Sequence, residues 1–335
     1  MRRSRSKLSR SDGGCQHSHF VRMTDSQLGY LLSLGALLLF SVAILATKSA
    51  SNRIPLALGF VIATVVNVAF SALVLAVHLA WRGTGLQWNG AAFWLFVGAG
   101  VFSTYLGRWF FYESVVRFGP AKASIFQVSS PLFTALMAWL LLGERLRPLV
   151  ALGMFMAIGG LMLVSYKPGF FARRSAKEPS QVSGTGLGQM VLKSVFLLGL
   201  GSSFAYAVGN VMRGLAIRSW PEPIVGALIG AVAGLALHLA FSRDKAGLVA
   251  RLRSVDRKGA AFYALIGVCT ISAQICVIAA MRFIPLSVVT LITLCTPVFV
   301  FPASHFLFKT KGEFTLATLL GSTIALLGVA IIVMR

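Results

Sequence analysis

Of 335 residues, 57% are hydrophobic and only 12% charged, about half the charged share of an ordinary globular chain. The formal charge of +22 comes from 31 Lys and Arg against 9 Asp and Glu, and the basic residues lie almost wholly between apolar stretches. A soluble two-domain enzyme, a nucleic-acid binder and a disulfide-stapled secreted domain are excluded, because basic residues so placed meet anionic headgroups and set topology.

In chain order, residues 1–27 are a basic, Ser-rich tail without an apolar run, neither a signal peptide nor a folded unit, and Met23 offers a second candidate start. Cys15-Gln16-His17-Ser18-His19 has metal-ligand residue types, but a tail supplies no preorganised site and no metal is expected. Five nearly uncharged stretches follow at 28–47, 56–80, 91–112, 123–142 and 148–166. A polar linker at 167–190 leads to five more, at 194–212, 223–241, 259–281, 283–308 and 314–334. Each is about long enough to cross a ~30 Å hydrocarbon core as a helix. The fold expected is therefore an all-α membrane protein of ten transmembrane helices. Cys269, Cys276 and Cys295 fall in apolar stretches without a CxxC pair and read as small hydrophobes.

The second five stretches echo the first. Arg117-Phe118-Gly119-Pro120 returns 165 residues later as Arg282-Phe283-Ile284-Pro285. Pro131, in Ser130-Pro131-Leu132-Phe133, returns 166 later as Pro297, in Thr296-Pro297-Val298-Phe299. Gly153 and Gly160 match Gly321 and Gly328, 168 later. Two five-helix repeats are expected, 28–166 and 191–335. Because five is odd, the second copy enters the membrane from the opposite side, so the repeats are inverted about an axis in the membrane plane. Transporters working by alternating access use that architecture, with the substrate near the midplane.

Polar groups inside the spans are the candidate site, since they are costly in lipid and functional by default. Arg108 stands near the end of 91–112, and on a regular helix Tyr105 and Tyr112 share its face, which suits an anionic or aromatic solute; snorkelling of Arg108 to the headgroups is the competing role. Ser124, Gln127 and Ser130 align with Thr290, Thr293 and Thr296 as a repeated polar stripe. Pro131 and Pro297 break the two helices there, freeing the carbonyls of Gln127 and Thr293 toward a cavity, unless the hydroxyls simply bond back to their own helices. Gln274 stands within one position of the counterpart of Arg108. Asn67 and Asn210 are further candidates, as substrate ligands or as links between helices; Tyr206 and Lys48 join them. Glu113 is the one acid near a span and the candidate for proton coupling, with a solvated edge role as the alternative. Gly226, Gly230 and Gly234 form a stripe that admits another helix closely, from the same chain or from a second copy, so monomer and homodimer both remain open.

Three segments carry a family resemblance: Glu113-Ser114-Val115-Val116-Arg117-Phe118-Gly119-Pro120-Ala121-Lys122-Ala123-Ser124, Ser130-Pro131-Leu132-Phe133-Thr134 and Leu142-Gly143-Glu144-Arg145-Leu146. With the glycines of the fifth span, they resemble an EamA repeat of the drug/metabolite transporter superfamily. The resemblance covers nearly all of 28–334. It implies ten helices, two EamA domains and movement of small metabolites, often as efflux, across a plasma membrane or a Gram-negative inner membrane. The second copy reads Lys309-Thr310-Lys311-Gly312-Glu313-Phe314, keeping Gly-Glu without the Arg. Glu144 is expected to serve helix-end N–H groups or a neighbouring Arg.

The function expected is a secondary permease for a small solute. A lipid or lipid-linked sugar flippase of the same fold is the alternative, and a non-transporting scaffold a third. HExxH, GxSxG, Walker and carboxylate-dyad patterns are absent from the sequence, so neither enzymatic chemistry nor a cofactor is expected. The basic residues do not choose an orientation. Seven arginines, Arg213 among them, flank the face of the amino terminus, thirteen basic residues with the tail, against seventeen on the other.

Overall fold

A computed structural model describes residues 24–51, 53–83, 85–111, 127, 129–144, 147–165, 195–241, 255–296, 298–300, 303 and 316–333. These form α1 (Asp25–Ser51), α2 (Leu56–Arg82), α3 (Gly90–Phe111), α4 (Ser130–Leu142) and α5 (Pro148–Ser165) in the first half. The second half holds α6 (Val195–Ser219), α7 (Pro223–Phe241), α8 (Arg257–Ala280), α9 (Leu286–Leu294) and α10 (Leu316–Val333). No strand occurs among the described residues. Helices α1, α2, α3, α7 and α8 are long and apolar enough to cross a membrane. The protein is an all-helical, multi-pass integral membrane protein.

The chain punctuates its helices with residues suited to the ends. Asn89 caps α3 by accepting the Ala92 N–H at 3.1 Å, and Asp256 caps α8 by accepting the Gly259 N–H at 3.1 Å. Gly83 and Gly143 close α2 and α4 in the left-handed region, at φ 64° and 66°, which glycine adopts without strain. Within the spans, Ser33, Ser41, Thr64 and Ser71 donate to the carbonyl four residues back, so buried hydroxyls need no water. Trp81, Trp88, Trp94 and Trp139 stand exposed near the end of the bundle where α2 and α4 finish and α3 starts. That ring of indoles suits the lipid–water interface.

Glycine contacts relate the two halves. A Cβ added to Gly160 on α5 would lie 2.5 Å from the carbonyl oxygen of Gly321 on α10, and one on Gly328 would lie 2.5 Å from that of Gly153. Rising numbers on one helix meet falling numbers on the other, so these corresponding helices run antiparallel. Gly59 on α2 lies against the ring of Tyr263 on α8, and, with the two halves exchanged at an offset of 167, Gly226 on α7 lies against the ring of Phe96 on α3. A Cβ on Gly100 would meet the Gly230 oxygen at 2.6 Å, and one on Gly267 the Ala63 oxygen at 2.8 Å, again with partners exchanged at an offset of 167. Exchanging the halves thus carries the packing onto itself. The third helix of each half beds against the first two helices of the other.

One feature departs from the sequence reading. The helix expected to stop at residue 212 continues to Ser219, so Arg213 is not in a loop: it is buried, at 4% exposure. Counting uncharged residues ends a span at its first charge even where the helix goes on. The α7 glycine stripe is filled from within the chain, by Phe96, Gly100 and Thr104 of α3.

Candidate functional site

The site begins with an irregularity in α3, which is π-helical from Gly100 to Gly107. Bonding from i to i+5 widens the turn and rotates the next residues about the helix axis, and such turns recur at functional sites. Tyr105 therefore faces outward along α7, stacked on Phe241 at 5.8 Å, whereas Arg108 turns inward with its guanidinium 5.0 Å above the Phe60 ring. Gly107 leaves space for the Tyr206 ring, whose hydroxyl faces Arg108.

Between the halves lies a cavity of about 30 Å³, room for a water or two. Arg108 and Thr104 of α3, Arg213 of α6, Asn67 of α2, and Thr270 and Gln274 of α8 supply its polar wall. The small residues of α7 close the other side. Arg213 Nη2 donates to Ser103 Oγ at 2.7 Å, and Nη1 donates to Asn210 Oδ1 at 3.1 Å. Both partners are neutral, and no carboxylate lines the cavity among the described residues. Asn67 is 4% exposed and lies 3.1 Å from Thr270 Oγ1. With its nitrogen turned toward α8, its two N–H groups are shared among Thr270 Oγ1 and the carbonyls of Gly267 at 2.6 Å and Ala63 at 3.0 Å. It thus links two helices while forming part of the wall.

The remaining candidates are placed elsewhere. Gln127 Nε2 donates to Ser202 Oγ at 2.7 Å, and that hydroxyl donates to the Gly107 carbonyl at 2.8 Å. Gln127 is therefore bonded at the end of the π turn rather than lining the cavity. Ser130 and Pro131 are buried in the first turn of α4, where a missing N–H removes no helix bond. Thr293 donates to the Val289 carbonyl at 2.9 Å and Thr290 to that of Leu286 at 3.1 Å, both on α9. Thr296 is half-buried just past α9. Tyr112, Glu113 and Pro297 lie outside the described residues.

At the end of the bundle where α4 and α6 finish and α9 starts, a larger cleft of about 440 Å³ opens beside Glu144, Arg218 and Arg282. Glu144 Oε1 accepts the Leu286 N–H at 2.8 Å and pairs with Arg218 Nη2 at 3.3 Å. Its Oε2 accepts from Ser287 Oγ at 3.1 Å. Arg82 pairs with Glu222 at the same end, again between halves. At the opposite end Arg53 pairs with Asp256 at 3.2 Å.

A family model described as the EamA-like transporter family matches residues 27–166 and 193–334, two copies that together span most of the chain. The chain belongs to this family. As an EamA-like protein it is a transporter of the drug/metabolite type, and its two matched segments coincide with the two exchanged halves. No curated protein matches it. Among solved structures, 29 chains match. One, described as a crystal structure of a protein, covers 90% of this chain and 95% of its own at 19% identity and a TM-score of 0.62, a likeness of fold.

Reading the sequence missed the cavity residues Thr104 and Thr270 and, above all, Arg213. The apolar run Gly214-Leu215-Ala216-Ile217 after it was the available signal that the span continues.

Proposed function

We propose that this EamA-like protein is a secondary permease that exports a small metabolite across a plasma membrane, or the inner membrane of a Gram-negative cell, by alternating access. The observation that carries this reading is the polar cavity between two halves whose contacts exchange. Two equivalent packings of the same interface give the molecule two states of similar energy, one open to each side. At about 30 Å³ the cavity holds no more than a water or two, and a solute enters when the halves part at one end. The Glu144 and Arg82–Glu222 contacts close one end and the Arg53–Asp256 pair the other. Opening breaks one set while the second holds. No Walker loop is present in the sequence, so the driving force is a solute or ion gradient or is supplied by a partner, with Glu113 as the candidate proton carrier.

Counterflow into proteoliposomes, with labelled amino acids, nucleobases and organic acids, tests the proposal. Accumulation of a label against preloaded unlabelled solute is expected, and it stops when the halves are cross-linked at either end. Absence of counterflow across the panel overturns the permease reading.

A further inference from the structure

We infer that the solute is an anion, a small carboxylate or phosphate, held between Arg108 and Arg213; this rests on the permease reading and names its substrate class. The two guanidiniums line the same cavity from opposite halves, on α3 and α6. Arginine stays charged at any ordinary pH, so the site carries two positive charges. An unpaired charge at membrane depth is strongly unfavourable, and a buried ion persists where something offsets it. The contacts observed are neutral ones: Ser103 and Asn210 to Arg213, and the Phe60 ring and Tyr206 to Arg108. Those partners hold the guanidiniums in position and use two of the five N–H groups of Arg213, leaving donors in the fork geometry that fits an oxyanion.

The surroundings fit the same ligand. Thr104 and Gln274 add neutral groups able to donate, while Asn67 and Thr270, bonded to each other and to the Gly267 carbonyl, complete the wall without adding charge. A cationic solute meets two like charges there and a neutral one leaves both uncompensated. Headgroup snorkelling accounts for neither residue: Arg213 is 4% exposed, and Arg108 is directed onto Phe60. A soluble metabolite and an anionic lipid headgroup present the same chemistry, and the experiment separates them.

The full-length protein, purified in an uncharged detergent, is melted with benzoate, succinate or inorganic phosphate, and with benzamide as the neutral control. The anions are expected to raise the melting temperature saturably and benzamide not to. Arg213→Gln and Arg108→Gln each weaken apparent anion affinity about tenfold to a hundredfold, whereas Lys258→Gln, on the exposed first turn of α8, leaves it unchanged. If Arg213→Gln fails to fold, Arg108→Gln decides alone. A shift seen only with phosphatidylglycerol assigns the anion to a lipid. Anion shifts that are absent, or equal in the arginine variants, overturn the inference. Counterflow of neutral solutes unaffected by both variants does so too while leaving the permease intact. Arginine-dependent anion binding without counterflow leaves the anion site standing and removes transport.

Discussion

Glu144 Oε1 accepts the backbone N–H of Leu286 at 2.8 Å, so a carboxylate at the end of α4 in one half caps α9 in the other. The first N–H groups of a helix have no intrahelical partner, and an anion there also meets the positive end of the helix dipole. Replacing Glu144 by Ala is expected to lower stability by about 1–2 kcal/mol. Arg218→Ala, removing only the half-exposed partner of the pair, lowers it by about 1 kcal/mol or less. Thermal melts of the two variants check the order.

The aromatic locks predict a specific pattern of rescue. Gly59→Ala drives a methyl into the Tyr263 ring and Gly226→Ala one into Phe96, each a loss of about 1–3 kcal/mol. Adding Tyr263→Ala to the first or Phe96→Ala to the second is expected to recover part of that loss, whereas crossed combinations recover none. Double-mutant cycles on melting data measure the coupling.

Antiparallel packing of α5 and α10 is open to cross-linking. With the four native cysteines replaced, Ala157→Cys with Gly328→Cys is expected to oxidise to a disulfide, because a Cβ at 328 would lie 2.7 Å from the Ala157 nitrogen. Ala157→Cys with Leu316→Cys, a turn or more away along α10, stays reduced. Mobility on a non-reducing gel reads the difference.

Arg213 sets function against stability. If it holds an anion, Arg213→Met removes a buried charge that is uncompensated in the empty protein, so the variant melts at or above wild type while counterflow falls at least about tenfold. A purely structural link between α3 and α6 gives the opposite melt.

Asp256 gives a pH dependence. The Gly259 N–H holds its carboxyl below the usual carboxylate range; desolvation opposes it, and Arg53 and the Lys258 N–H each add a smaller lowering effect. Its folded pKa lies under the unfolded value of about 3.9. The stabilisation is thus complete above that value and is lost as pH falls through the folded pKa. Asp256→Asn is expected to melt below wild type at pH 7, with the gap narrowing as pH falls below the unfolded value of about 3.9.

The prolines around α4 and α9 and the glycines of α5 and α10 made the repeat legible, because backbone constraints leave fixed residue types at fixed offsets. The locks at Gly59 and Gly226 were not legible, since a ring facing a glycine across some 130 to 200 residues has no local signature. Glu144 was readable as a helix-end carboxylate from its place after Gly143. Placing Tyr105 beside Arg108 assumed a regular helical period through residues that form a π turn, and nothing in Ser103-Thr104-Tyr105-Leu106 announces that turn. Arg213 escaped because charge itself marked the boundary of the span.

The pairing of Gly59 with Tyr263 also bears on how the chain is made. During synthesis α2 emerges long before α8, so its glycine groove has no ring to receive until some 200 residues later. The first half waits in the bilayer unseated, with Phe96 likewise facing a vacancy until α7 arrives. Packing between the halves is therefore completed late and in order, first where Gly226 receives Phe96 and then where Tyr263 reaches Gly59.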